Sequence, residues 1–235
     1  MTNVGDSINA TNAAWSFGGN TVLNFEDHVS KSVPFYQEGQ DLICQISDFF
    51  LKSDSICYEL GTSAGTLVNK LATYHKDKGT QFIGIDHVED MIDYAKTHYQ
   101  TQNLHFVLDD VLTHDYQHSD LFLAYYLLQF IHPSQRQDLV QIIYNQLRWG
   151  GAFICFEKVR APDPRFQDLA TSLYTDYKLK QGYSPDEIIS KSRSLKGVLE
   201  PFSSQGNIDL FKRAGFVDIM TIEKYICFEG FLCIK

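Results

Sequence analysis

The chain has 235 residues, 44% hydrophobic and 14% aromatic, enough apolar side chain for one substantial core or a core with a lid. Its formal net charge of -9 argues against direct contact with nucleic acid, whose affinity rests on neutralising phosphates with Lys and Arg. A small-molecule partner is expected instead.

Residues 1–20 are polar, without a basic start or an apolar core, so they read as an arm that is flexible unless it closes over something. No run reaches the ~20 apolar residues of a membrane span. A cytoplasmic protein with no membrane contact is therefore expected. From Val22 to Leu51 apolar residues recur at helical spacing, interrupted by Pro34, which predicts two helices with a break between them. "SICYEL", "TQFIGID", "LHFVLDD", "DLFLAYYLL" and "AFICFE" read as strands, with helices in "AGTLVNKLATYH", "VEDMIDYAKTHYQ" and "PSQRQDLVQIIYNQL" and a turn at Gly150-Gly151. This alternation predicts an α/β fold: a Rossmann-like, mostly parallel sheet with helices on both faces. Residues from about 160 to 200 are more polar and helical and open on "APDPRF"; they read as a helical cap inserted over the carboxyl edge of the sheet. Helix "NIDLFKRAG" then precedes two final strands joined by a tight turn. The whole is read as one domain. Five scattered cysteines without a C-x-x-C pair read as buried, reduced thiols.

"GTSAG", residues 61–65, fits the G-x-S-x-G turn of a serine hydrolase, with Ser63 as nucleophile. It equally fits a strand emptying into a glycine-rich nucleotide cradle. Two features favour the cradle: "SICYEL" is the first strand, with no oxyanion loop upstream, and the next strand ends in Asp86, where such folds hold ribose hydroxyls. Gly61 and Gly65 let the backbone turn tightly against a ligand, and Ser63 becomes a loop residue touching it. The third strand ends in Asp109 and Asp110, placed to accept from an adenine amino group. The loop lacks the middle glycine that admits a pyrophosphate, so a nucleoside cofactor without one fits better. Together with Glu59, this is the layout of S-adenosylmethionine enzymes.

On "HVSKSVPFY", "YELGTSAG", "GIDHVEDMI", "LLQFIHPSQRQDLVQIIYNQLRWGGAFICFEK", "YKLKQGYSPDEIISKSRS" and "KRAGF", the sequence resembles the class I S-adenosylmethionine-dependent methyltransferases. Within them it is similar to the carboxy-S-adenosylmethionine synthases of the tRNA wobble-uridine modification pathway. The resemblance implies a seven-stranded sheet with an antiparallel last strand, a helical cap and a homodimer. It also implies that Tyr36 closes over the cofactor, that Gly61, Thr62 and Ser63 line its methionine and ribose end, that Asp86 and His87 meet ribose and adenine, and that Asp110 and Val111 meet the adenine. Tyr125 stands where the synthase has an asparagine. Ser192 stands where the synthase has the arginine that holds the product's extra carboxylate, with Arg193 next to it.

S-adenosylmethionine is thus expected to bind and to donate its methyl group by in-line displacement, in which the protein mainly aligns the acceptor and excludes water. Candidates for a general base are His132 and the tyrosines Tyr125, Tyr174 and Tyr183. Among the cations of "KSRSLK", Lys191, Arg193 and Lys196, Arg193 is the expected holder of an anionic group on the acceptor. "AYYLLQF" stands where an amino-nucleobase methyltransferase has an "NPPY"-like run. His114, Asp115 and His118 have an H-x-x-x-H spacing but fall in a predicted loop, and no metal is expected. Three readings remain: a small-molecule methyltransferase, a carboxy-S-adenosylmethionine synthase acting with prephenate, and a non-catalytic S-adenosylmethionine-binding protein.

Overall fold

The computed structural model describes residues 2–6, 8–19 and 21–235, so Met1, Ser7 and Asn20 of the arm lie outside the described residues. The arm begins with a small hairpin of β1 (Thr2–Asn3) and β2 (Asn9–Ala10). Helices α1 (Thr21–Ser32) and α2 (Tyr36–Ser47) follow, separated at Pro34 and at Phe35, whose φ of 56° cannot continue a right-handed helix.

The chain then alternates β3 (Ile56–Leu60), α3 (Thr66–Tyr74), β4 (Gln81–Asp86), α4 (Glu89–His98), β5 (Leu104–Leu108), β6 (Ser119–Tyr125), α5 (Arg136–Gln146) and β7 (Leu147–Lys158). Helices α6 (Pro164–Lys180), α7 (Pro185–Ser194) and α8 (Ser204–Ala214) precede β8 (Asp218–Tyr225) and β9 (Phe228–Ile234). The seven-stranded sheet has the order β5-β4-β3-β6-β7-β9-β8, with β3 to β7 parallel and β9 antiparallel to both of its neighbours. The expected Rossmann-like sheet with an antiparallel last strand is therefore present. One local difference concerns the Gly150-Gly151 turn: β7 already starts at Leu147 and runs through it. There Gly150 N donates to Lys235 O, and Lys235 N donates to Gly151 O, so the end of the chain stitches this segment into the sheet.

The sheet is covered on both faces, so its strands read as continuous apolar runs whose alternate residues enter different layers. In β6, Leu121, Leu123 and Tyr125 pack with Ile43, Leu67 and Val68, while Phe122 and Ala124 pack with Leu139, Ile143 and Phe211. Each such aliphatic or aromatic side chain contributes about 1.5–3 kcal/mol of burial. Strand β3 runs between β4 and β6, so the connections leave it in opposite directions. Such a switch point opens a crevice beyond the carboxyl ends of the strands, which fixes where a ligand can enter.

Segment "GYSPDE" explains how the cap is anchored. Gly182 takes a φ of 93°, and Ser184 and Glu187 form a reciprocal capping box. Pro185 starts α7 where its missing N–H is no loss. The arm is pinned across this cap: Ala13 N donates to Arg193 O, and Trp15 N to Ser194 O.

Candidate active site

A cavity of about 360 Å³ opens at the switch point, lined from the sheet edge, α1, the arm and α7. Its floor is the glycine turn. Gly61, Ser63 and Gly65 all take left-handed conformations, with φ of 66°, 49° and 82°. A Cβ at Gly65 would come within 2.6 Å of the Phe106 ring, so only glycine lets α3 start this close to the sheet. Ser63 Oγ bonds only weakly to Gly61 O, at 3.5 Å, whereas Ser63 N donates to Asp86 Oδ2 at 2.9 Å. No histidine bonds this hydroxyl among the described residues, so Ser63 has the geometry of a cradle and lacks a base to activate it.

Three carboxyl groups meet at this end. Glu59 Oε2 accepts from Thr62 Oγ1 at 2.6 Å and from Val68 N at 3.1 Å. Burial pushes its pKa up to about 8 against these bonds. Glu26 of α1 accepts from Thr66 Oγ1 at 2.7 Å and is also raised by burial. Asp86 accepts from Ser63 N through one oxygen and from Val88 N through the other, both at 2.9 Å, so one carboxylate ties the glycine turn to the start of α4. Beyond it, exposed His87 and Asp110 and buried Val111 line the same wall, and Asp110 Oδ1 accepts from Leu112 N. Asp109 turns aside to pair with His114, while His118 bonds Gln146 O, so the two histidines serve different partners.

The opposite wall is aromatic. Tyr36, Tyr125 and Tyr126 form a ring cluster with Phe156 and Phe228. Phe17 of the arm packs edge-on against Phe130 and Trp15 stacks on His28. Two polar atoms in this wall, Tyr126 OH and Trp15 Nε1, are buried without a hydrogen-bond partner among the described residues. Tyr126 also holds a left-handed φ of 63°. Unsatisfied donors and backbone strain each cost of order 1–3 kcal/mol, and they are expected where a ligand completes the wall.

The "LQF" and "PSQR" signature builds the adjoining rim. Buried Glu157 accepts from Leu128 N at 2.7 Å and Gln129 N at 2.8 Å. Arg136, 1% exposed, donates from Nε to Ile131 O and from Nη2 to Gln129 O, and its guanidinium lies over the Phe202 ring. This apparatus shapes residues 128–131 along the cavity.

Every expected cofactor residue lines this one cavity: Tyr36, Glu59, Gly61, Thr62, Ser63, Asp86, His87, Asp110, Val111 and Tyr125. His132 is at the exposed rim, with its Nδ1 bonded to Ser134 Oγ at 2.8 Å. The hydroxyls of the three candidate tyrosines are committed elsewhere: Tyr125 donates to Tyr36 O, Tyr174 to Ser32 O and Tyr183 to Asp6 Oδ2.

Arg193, the expected holder of an anionic group, lines a different cavity. It is exposed and lies outside this cavity, while Lys191, two residues earlier, is in its wall. Successive residues turn about 100° around a helix, so the two side chains leave α7 in nearly opposite directions.

Lys191 is shared with a second cavity of about 690 Å³ behind the cap. Lys158, Tyr174, Leu195 and Leu199 also line both, and Lys178, Arg160, Arg193 and Lys196 line the second. Lys158 and Lys178 each sit 4.5 Å from the centre of the Tyr174 ring. Burial lowers both, with Lys196 and Arg160 adding to it at Lys158, and Lys158 adding to it at Lys178, which falls to about 8. Sequence reasoning missed Lys158, Lys178, Glu26, His28 and Trp15. Only Lys158 had a local signal, a cation at the carboxyl end of a central strand.

A methyltransferase-domain family profile matches residues 58–151. The chain is 32% identical over 222 residues to the carboxy-S-adenosyl-L-methionine synthase of Staphylococcus epidermidis, covering 94% of this chain and 97% of that one. It is 37% identical over 221 residues to the Helicobacter hepaticus protein of that name, covering 90% of each. Among solved structures it is similar to an O-methyltransferase family protein from Burkholderia thailandensis, with a TM-score of 0.66 and 13% identity, over 92% of this chain and 59% of that one. Human N-acetylserotonin methyltransferase in complex with S-adenosylmethionine gives a TM-score of 0.56 at 17% identity, over 94% of this chain and 60% of that one. These two similarities are of fold. With its glycine turn, its strand-end acids and sequence similarity along almost its whole length, the chain belongs to the class I S-adenosylmethionine-dependent methyltransferase superfamily, among the carboxy-S-adenosyl-L-methionine synthase-like enzymes.

Proposed function

We propose that this enzyme transfers a methyl group from S-adenosylmethionine to a small acceptor carrying an anionic group. The observation that carries the reading is the wall shared by the two cavities. Lys158 in that wall and Lys178 behind it in the second cavity pair with no carboxylate among the described residues, in a chain whose formal charge is -9. Buried cations without counter-charges await an anion.

The residues present fit the cofactor. Glu59 and Glu26 would hold its ammonium, Asp86 its ribose hydroxyls, and Asp110 and Val111 its adenine, while the orphaned Tyr126 hydroxyl and Trp15 indole supply donors. S-adenosylmethionine brings a methyl group already activated on a sulfonium. The protein's part is then to orient and to dry the site. Lys158 and Lys178 hold the acceptor's anionic group, and Tyr36, Trp15, Phe17 and Phe130 exclude water.

The test supplies purified enzyme with S-adenosylmethionine and a panel of small hydroxy- and amino-carboxylates and phosphates, and reads products by mass. Formation of S-adenosylhomocysteine with a methylated acceptor is expected. Binding without turnover on any acceptor would overturn transfer in favour of a non-catalytic binder. The relatives' shared name favours a second reading, synthesis of carboxy-S-adenosylmethionine. A carboxylated sulfonium formed on addition of prephenate would establish it, with the lysines taking the carboxylate in the absence of an arginine at Ser192.

Cofactor binding has a pH signature. Glu59, raised to about 8 by burial, is protonated in the free enzyme at pH 6.5. An ammonium arriving beside it stabilises the carboxylate and lowers its pKa, so the proton leaves. Calorimetry at pH 6.5 in buffers of different ionisation enthalpy should show release of about one proton, lost in Glu59→Gln.

The enzyme is further proposed to act in the cytoplasm, without direct nucleic-acid contact, as a homodimer. In support of the dimer, Phe166, Leu169 and Leu173 form an exposed apolar stripe on α6. No helix among the described residues is long and apolar enough to cross a membrane.

A further inference from the structure

We propose that Lys191 is the general base of the reaction, an amine whose lone pair faces the acceptor because both of its N–H bonds are committed to a two-branched relay ending on Asp6 of the arm. The inference rests on the methyl-transfer reading and assigns its proton acceptor.

The relay is defined by donor counting. Asp6 Oδ2 accepts from Tyr183 OH at 2.6 Å and pairs with His28 Nδ1 at 2.8 Å. Lys31 donates to the other oxygen at 2.6 Å. Burial opposes ionisation of Asp6, but these three partners outweigh it and hold its pKa down to about 2. An ionised Asp6 can only accept, so His28 Nδ1 carries the ring proton and Nε2 is left as an acceptor. Lys191 Nζ fills it at 2.5 Å.

The second branch runs through Ser32. Tyr183 spends its only proton on Asp6 and so accepts from Ser32 Oγ at 3.2 Å, which obliges Ser32 to accept from Lys191 Nζ at 2.7 Å. Two of the three valences that hydrogens or a lone pair can occupy on Nζ are thereby directed away from the cavity. The remaining one is the lone pair of a neutral amine.

The surroundings favour that neutral form. Burial is the main cause, reinforced by Lys178 of α6 and Lys158 of β7, and together they bring Lys191 down to about 7 although Asp6 pulls the other way. His28 does not compete for the proton, because burial and Lys191 itself lower it to about 4. The other groups facing Lys191 are Tyr183 and the Trp15 ring, whose centres lie 5.9 and 5.5 Å away. A lysine beside other cations in a desolvated pocket is the arrangement that yields a reactive amine near neutral pH.

In the step, the acceptor's oxygen or nitrogen forms a bond to the methyl carbon while the carbon–sulfur bond breaks with its electron pair going to sulfur. Lys191 Nζ takes the proton from the acceptor atom and becomes an ammonium, which later loses it to solvent. His28 and Asp6 are positioning residues. Because Asp6 belongs to the arm, the base is complete only when the arm is closed.

The first test needs no acceptor. Competitive labelling of the whole protein with trace acetic anhydride between pH 6 and 10, read by peptide mass spectrometry, measures the titration of each lysine. Lys191 is expected to label with a midpoint near 7, about three units below exposed lysines, and to remain reactive with S-adenosylhomocysteine bound. A midpoint above 9 would overturn the proposal, as would failure to label at any pH, because an amine closed to acetic anhydride is closed to an acceptor. The second test uses whichever hydroxyl or amine acceptor wild type methylates. Lys191→Arg and Lys191→Met should each lower kcat by at least about 100-fold with S-adenosylmethionine affinity unchanged. Full activity in Lys191→Arg would overturn the base and leave a simple cation. If wild type methylates nothing, the methyl-transfer reading falls, while the labelling midpoint still decides whether Lys191 is a neutral amine.

Discussion

Asp86→Ala should weaken S-adenosylmethionine binding by at least about 100-fold while leaving the chain folded. Its two oxygens hold Ser63 N and Val88 N, each at 2.9 Å, and hydrogen bonds to a charged acceptor are worth about 1.5–3 kcal/mol each. Losing them frees Ser63 from its left-handed conformation and removes the acceptor proposed for the ribose hydroxyls. A hundredfold change corresponds to about 2.7 kcal/mol, within what either loss can supply. Asp86→Asn retains one acceptor and should recover part of the affinity. Isothermal calorimetry checks both, and unchanged binding in Asp86→Ala would remove this residue from the site.

Arg136→Ala should destabilise the fold by about 3–5 kcal/mol, since it deletes two buried hydrogen bonds from a charged donor, worth about 1.5–3 kcal/mol each. The guanidinium is 1% exposed, donates to the carbonyls of Ile131 and Gln129, and covers Phe202. Its removal leaves those carbonyls unsatisfied and takes the favourable positive charge away from buried Glu157. Residues 128–131 then lose their template, so cofactor affinity should fall along with the denaturation midpoint. Arg136→Lys cannot serve both carbonyls with a planar fork and should recover little. A midpoint within about 0.5 kcal/mol of wild type would show that the rim is held by other contacts.

Much of the proposed cofactor half of the site was legible from the chain alone because it is local. Glycines at 61 and 65 announce a left-handed turn, and Glu59, Asp86 and Asp110 follow apolar runs that end at one edge of a parallel sheet. The topology of such a sheet gathers strand ends whatever the packing details. The signature "PSQR" was visible too, but its purpose was not: Arg136 reads as a helix-start residue until Glu157, 21 positions later, is seen buried beside it.

The proposed acceptor half was decided by tertiary structure. That Lys191 and not Arg193 enters the cavity depends on the rotation of α7, which is set by the Ser184 capping box and by Tyr183 reaching Asp6. Spacing along the run "KSRSLK" shows that the two must diverge and leaves open which one faces inward. Likewise Asp6, His28 and Lys191 span 185 positions, and no period or motif joins them. Sequence determined the sheet, its edge and the cradle, because backbone conformation and alternation are local. The hydrogen-bond network of Asp6, His28 and Lys191 and the neighbouring lysines arise only where the arm, α1, α6 and α7 close on one another, because a side chain's charge state there is set by burial and by neighbours remote in the chain.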